Sequence, residues 1–357
     1  MPLRVALHIW VLFRLLPTIQ RGALLRTFAK TTTQPMSYLE VTKDLYKDAA
    51  LTPNEGLCCT TTPIWRFPGL NIPLIMQQMN YGCGSTVHPR DLVNNPKILY
   101  VGVGGGMELL QFAYFSRQEG GVVGVDVVDE MLEAAQQNFL VAEKENDWFR
   151  PEFVSLKKGD ALHLPVEDQS IDVAAQNCLF NIFKQDELRQ ALREMYRVLK
   201  PYGRLVMSDP VCDQPMNDVL RNDERLRALC LSGSIPLEEY VGMLAEVGFG
   251  TIEIRAKRPY RVLAPGHYPT EEIIFIESVE VCAIKDPMPM DGPCVFTGRS
   301  AIYFGENEWF DDEKGHVLMQ NQPLAICDKT AKALASLGRK DLFISESTYH
   351  YDGGGCC

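Results

Sequence analysis

Residues 97–117 read KILYVGVGGGMELLQFAYFSR, and the fold turns on how that stretch is parsed. Lys97 to Val101 form a short apolar run, Gly102, Gly104, Gly105 and Gly106 crowd the positions after it, and a helical run follows at once. A strand that ends in glycines and opens a helix is the turn at which a doubly wound sheet lets its backbone approach a ligand. The rhythm continues downstream with GVVGVDVVDEMLEAAQQNFL (121–140), PEFVSLKKGDALHLP (151–165), SIDVAAQNCLF (170–180), the helical QDELRQALREMYRVL (185–199) and the strand GRLVMSD (203–209). Short apolar runs separated by amphipathic helices predict a parallel sheet with helices on both faces, an α/β doubly wound domain.

Within that fold the candidate ligand contacts follow from position. Gly102, Gly104 and Gly106 form the turn, and Asp126 ends the second strand, where a carboxylate accepts both hydroxyls of a ribose. Asp160, with Ala161 beside it, follows the third strand and suits an adenine amino group. A tight structural turn and structural carboxylates are the plainer alternatives. A second glycine-rich stretch, NYGCGSTVHP at 80–89, has no strand before it and so is not a nucleoside loop. Cys83, held between two glycines in a polar loop, is therefore a candidate for the chemistry itself.

Composition limits the partners. The formal charge is −11, and the first 35 residues hold five basic and no acidic groups, which leaves 30 basic against 46 acidic in the rest. Nucleic acid is excluded as a partner, because phosphate binding relies on clustered Lys and Arg. Eleven cysteines in 357 residues is an odd number at low density, which points to thiols in a reducing compartment rather than a disulfide scaffold. Arg4, Arg14, Arg21, Arg26 and Lys30, with no acid before Glu40, give residues 1–35 the pattern of a transit peptide to mitochondrion or plastid. The alternative is an upstream extension with Met36 as a second start and a cytoplasmic protein. His8 and Arg14 interrupt the apolar run, so no membrane anchor is expected where about 20 apolar residues are needed.

The expected organisation is a leader at 1–35, an N-terminal substrate-binding segment at 36–94, a ligand-binding domain at 95–250, a smaller mixed module at 251–350 and a Gly/Cys tail at 351–357. The C-terminal module rests on further strand signals, TIEIRA, EEIIFIESVEVCAI and CVFTGRSAIYFG, with one late helix, KTAKALASLG.

Across 95–210 the chain resembles the class I S-adenosylmethionine methyltransferases, whose Rossmann-like domain carries the helix-to-strand phrase seen here as YRVLKPYGRLV. A dehydrogenase is the weaker reading. One departure is Tyr100, two residues before Gly102, where that family usually has an acid for the methionine end. The cysteines narrow the resemblance. LCCTTTP (Cys58, Cys59), YGCG (Cys83), QNCLFN (Cys178) and ALCLSGSIPLEEYVGMLAEVGF (Cys230) together look like the arsenite methyltransferases, and CCTTTPIW with YGCGSTVHPRDL looks like the branch associated with arsenosugar biosynthesis.

The resemblance implies that Cys83, Cys178 and Cys230 hold trivalent arsenic as substrate, with Cys59, or Cys58, as redox partner of Cys83. It also implies S-adenosyl-L-methionine as methyl donor and a thiol reductant of thioredoxin or glutathione type, with arsenite and methylarsenite arriving as thiol conjugates. Tyr81 would lie by the cofactor, where an aromatic face attracts a sulfonium, and Asn177 would line the cofactor or substrate pocket. Trivalent arsenic is a soft centre that prefers thiolates, which fits the cysteines independently. Cys212, Cys282, Cys294 and Cys327 lie in or beside apolar runs and read as buried small hydrophobes, and His88 reads as a loop residue rather than a base. The competing functions are a class I methyltransferase for an organic acceptor and a thiol-rich metalloid-sequestering protein. The first leaves the cysteines unexplained, and the second leaves Asp126 and the glycine turn unexplained.

Overall fold

A computed structural model of the chain describes residues 37–54, 57, 65–92 and 95–351. The leader, Cys58 and Cys59, and the tail from 352 onward lie outside the described residues. Helix α1 (Tyr38–Leu51) starts at a capping box in which the Ser37 hydroxyl accepts the Glu40 amide and the Glu40 carboxylate accepts the Ser37 amide. A short α2 (Leu74–Gln78) precedes the Cys83 loop. Then come β1 (Ile98–Val101), α3 (Met107–Ser116), β2 (Val122–Asp126), α4 (Asp129–Glu145), β3 (Val154–Lys158), β4 (Ile171–Asn177), α5 (Gln185–Val198) and β5 (Leu199–Cys212). The short α6 (Asp218–Arg221) and α7 (Glu224–Ala228) lead to β6 (Ile235–Pro236), α8 (Leu237–Val247), β7 (Thr251–Leu263), β8 (Ile274–Ile284) and β9 (Cys294–Phe296).

Among the described residues these strands form one nine-stranded sheet in the order β3-β2-β1-β4-β5-β8-β7-β9, with β6 beside β5. Strands β1 to β5 run parallel, and β8 joins β5 antiparallel. The four residues of β1 are all buried, as a central parallel strand covered on both faces requires. Leu109 and Phe112 of α3 and Phe139 of α4 pack on one face. Leu188, Leu192 and Met195 of α5 and Tyr240 and Leu244 of α8 pack on the other. The doubly wound architecture expected from the glycine turn is present.

The expected boundary at 250/251 falls inside this sheet. β7 and β8 pair along their length and β8 pairs with β5 from Arg204 to Cys212, so the main sheet runs on to Phe296. The smaller module starts only at β10 (Arg299–Tyr303), continuing through β11 (Trp309–Asp311), β12 (Val317–Met319), β13 (Leu324–Ile326), α9 (Asp328–Ser336) and β14 (Leu342–Ile344). It has a three-stranded sheet, β13-β10-β14, and its own small core around Tyr303, Ile326 and Leu334. Apolar strands that join an existing sheet as antiparallel members carry the same pattern as strands of a separate module, and that is why the boundary misled.

Candidate active site

The connection from β1 to β2 and the later return to β4 place β1 and β4 side by side at the point where strand order reverses, the crevice in which open α/β sheets bind ligands. Val101 pairs with Gln176, so the glycine turn after β1 and the Asn177–Cys178 turn after β4 face each other. A cavity opens there, lined by Gly102, Gly104, Asp126, Asp160, Ala161, Asn177, Cys178 and Tyr81, and by Leu39, Thr42, Lys43 and Tyr46 of α1. Helix α1 is anchored beside it by Lys47 to Glu130 at 2.6 Å and by a hydrogen bond from Tyr38 to Glu187. The Tyr81 hydroxyl donates to the Ala49 carbonyl, tying the same helix to the cavity wall.

The residues fit a nucleoside. Gly102 and Gly104 hold φ of 82° and 51°, a conformation that side chains rarely adopt. The Asp126 carboxylate accepts the Val103 amide through one oxygen and the Val128 amide through the other, each at 2.9 Å. It is thereby aimed across the turn with lone pairs left for a diol. Burial pushes its pKa up to about 6 against the pull of those amides. Asp160 braces its own turn by accepting the Leu162 amide. Gly106 does not line the cavity. It caps α3 in the left-handed region, where a Cβ would lie 2.8 Å from the Phe139 ring, so it serves the packing of α3 on α4.

The cysteines gather behind this cavity. Cys83 is buried in a loop pressed onto the ends of β4 and β5: a Cβ on Gly82 would meet the Asn177 amide at 2.3 Å, and one on Gly84 would meet Ser208 Oγ at 2.2 Å. The Gly-Cys-Gly sequence is thus a close-approach loop and not a cofactor loop. Asn177 Oδ1 accepts the Cys83 amide at 2.9 Å, and Cys83 Sγ lies 3.4 Å from Ser208 Oγ. The Cys178 amide donates to the Ser208 carbonyl, and the Cys230 thiol donates to the Cys178 carbonyl at 2.6 Å. Cys178 and Cys230 both sit at positive φ, 60° and 58°, a backbone state costing roughly 1–3 kcal/mol for such residues and concentrated at functional sites. The three cysteines form one hydrogen-bonded chain rather than a preformed ligand set: among the described residues no group of three His, Cys, Asp or Glu side chains is arranged to hold a metal ion.

The remaining residues separate from the site. Cys212 and Cys282 are buried, and burial drives both thiols up, Cys212 to about 12. Cys294 and Cys327 are buried beside Phe296 and Tyr351, away from the cavity. His88 accepts the Arg90 amide through Nδ1, and burial holds its pKa below the usual histidine value, as suits a structural residue.

Residues 92–261 match a family model described as a methyltransferase domain. This is a class I methyltransferase domain. The chain is 31% identical over 179 residues to an arsenite methyltransferase of Halobacterium salinarum, covering 50% of this chain and 44% of that protein. It is 32% identical over 202 residues to an arsenite methyltransferase of Aquipseudomonas alcaligenes, covering 54% and 55%. The chain is thus similar to the arsenite methyltransferases, and it spans about half the length of the curated relatives it matches. It also resembles the crystal structure of an arsenic(III) S-adenosylmethionine methyltransferase from Chlamydomonas reinhardtii, with a TM-score of 0.51 and 21% identity over 79% of this chain and 95% of that one, a likeness of fold.

Sequence reasoning missed Glu108, Ser208 and the α1 residues that line the cavity. A glutamate in the first turn of a mostly apolar helix, MELLQFAYF, was the available signal for the first. α1 carries no motif that marks it as cavity wall.

Proposed function

We propose that the chain catalyses S-adenosylmethionine-dependent methylation of thiol-bound trivalent arsenic. What carries the reading is Cys178: a thiol residue on the wall of the same cavity as Asp126 and the glycine turn, with Cys83 and Cys230 tied to its turn by hydrogen bonds. S-adenosylmethionine supplies an electrophilic methyl group and leaves as S-adenosylhomocysteine. Asp126 and the turn at Gly102 and Gly104 would hold the nucleoside, Tyr81 would offer a ring face to the sulfonium, and α1 would exclude water. Cys83, Cys178 and Cys230 would exchange their present hydrogen bonds for three sulfur–arsenic bonds, each displacing one thiol of the arriving conjugate, which leaves carrying the cysteine's proton.

Three sulfurs leave arsenic one lone pair. That pair forms the arsenic–carbon bond while the carbon–sulfur pair returns to the departing sulfur. The arsenic passes from trivalent to pentavalent, and two electrons from Cys83 and Cys59, or Cys58, which close a disulfide, return it to trivalent. A dithiol or a thioredoxin- or glutathione-type reductant then reopens that disulfide. Positioning of the two reactants contributes on the order of several kcal/mol.

Purified full-length protein incubated with S-adenosylmethionine, arsenite and thiol should yield methylarsenicals. Cys178→Ser and Cys230→Ser should lose methylation of both arsenite and methylarsenite, whereas Cys59→Ser should keep methylation of methylarsenite alone. Bound metalloid without methylated product under reducing conditions would assign the protein to sequestration instead.

A further inference from the structure

Glu108 is a fully buried carboxylate in the first turn of α3, and it contacts only donors. Its Oε1 accepts the Thr86 amide at 3.0 Å and the Thr86 hydroxyl at 2.8 Å. Its Oε2 accepts the Tyr100 hydroxyl and, at 3.0 Å, the Asn177 Nδ2. The same Asn177 amide donates to the Gly84 carbonyl at 2.9 Å while its oxygen accepts the Cys83 amide. A carboxamide turned the other way would place its oxygen against Glu108 and the Gly84 carbonyl and its NH2 against the Cys83 amide, three mismatched contacts. The orientation of Asn177 is therefore set by three contacts together, the Cys83 amide, the Gly84 carbonyl and the acceptor at Glu108.

We infer that Glu108 is a positioning residue that fixes the Asn177 amide and, through it and Thr86, clamps the Cys83 loop onto the ends of β1 and β4. The arrangement explains how an acidic group inside a helix serves a thiol on a separate loop. Glu108 reaches the loop directly on one side, at Thr86, and through Asn177 on the other, at Cys83 and Gly84. The four accepted bonds favour the ionised carboxylate while burial opposes it and raises its pKa. The clamp takes its importance from the thiol chemistry proposed above, but its geometry does not depend on the methyl acceptor.

Glu108→Gln keeps the shape and replaces one acceptor oxygen by a donor. The measurement is the rate of iodoacetamide alkylation of each cysteine in the ligand-free full-length protein, read by peptide mass spectrometry. A released loop should speed alkylation of Cys83 by about tenfold or more, the loss of a charge-assisted bond, with Cys282 and Cys212 alkylated at parental rates. Equal acceleration at all three cysteines means general destabilisation, and no acceleration at Cys83 means no clamp; either overturns the inference. Should Glu108→Gln not fold, Thr86→Val removes one loop donor and should accelerate Cys83 about threefold or more, and an unchanged rate there overturns it equally. None of these readouts uses arsenic, so failure of the arsenite assay leaves them interpretable.

Discussion

Asp126, half-buried at the cavity, and Asp209, fully buried, are carboxylates with raised pKa values, and their surroundings give them different consequences. Asp126, at about 6, faces the cavity, so its ionised form is the one available to accept ribose hydroxyls above that pH. Affinity for S-adenosylmethionine should weaken about tenfold between pH 7 and pH 5 as the carboxyl gains its proton. Asp126→Ala should weaken it further, by two charge-assisted bonds of about 1.5–3 kcal/mol each, and abolish the pH dependence while leaving arsenite binding largely intact. Calorimetry at the two pH values tests this; an unchanged affinity in the variant would remove Asp126 from the site. Asp209, pushed to about 7 by burial, accepts Tyr240 Oη–H at 2.6 Å and a hydrogen bond from Gln176, behind the Cys178 turn. A folded-state pKa above the unfolded value means the native chain binds more protons between those two values, so stability falls as pH rises through that window. For Asp209 the effect reaches about 4 kcal/mol at most by pH 8. Urea titrations should show Asp209→Asn flattening the decline between pH 5 and pH 8, and an unaltered slope would contradict the assignment.

At the scale of elements, the loop after α2 is fixed by what it touches rather than by its own hydrogen bonding. The Cys83 carbonyl accepts Ser278 Oγ–H and the Ser85 amide donates to Glu280, both on β8, so the loop is held from β4, β5 and β8 together. Gly82→Ala should push the loop off Asn177. Because the obstructing atoms belong to a side chain already engaged on both ends, the cost is that of overpacking, about 1–3 kcal/mol, and methylation should fall more than stability. Thermal melts alongside initial rates measure both, and a variant with parental rates would show that the close approach is dispensable. The β1 turn, the Asp126 strand end and α5 were legible because each has a local cause: glycine before a helix, a carboxylate at a strand's carboxyl edge, and an apolar stripe in QDELRQALREMYRV. The two glycines flanking Cys83 were visible, yet their causes are Asn177 and Ser208, partners about a hundred positions away or more, and no local pattern encodes that. Gly106 shows the converse. It belongs to the turn in sequence but meets Phe139 in space.

For the whole molecule, charge was legible from composition and the allegiance of β7 and β8 was not, since pairing partners are a property of the folded sheet. The negative balance has a consequence for substrate delivery. A chain of formal charge −11, with 46 acidic residues, repels an anionic ligand over roughly a Debye length, about 8 Å at physiological salt. An arsenic conjugate of glutathione carries several carboxylates, whereas a conjugate of a neutral dithiol carries none. Raising ionic strength from low to physiological should therefore increase kcat/KM for the glutathione conjugate, by about threefold or more if the field is felt at the cavity mouth, and leave the neutral conjugate nearly unchanged. Both conjugates deliver the same arsenic to the same thiols, so a salt effect on the chemical step would move them together. Parallel salt dependences, or none, would show that the acidic surface does not reach the entrance, and the local cation Lys43 on α1, which lines the cavity, would then be the group that sets the field there.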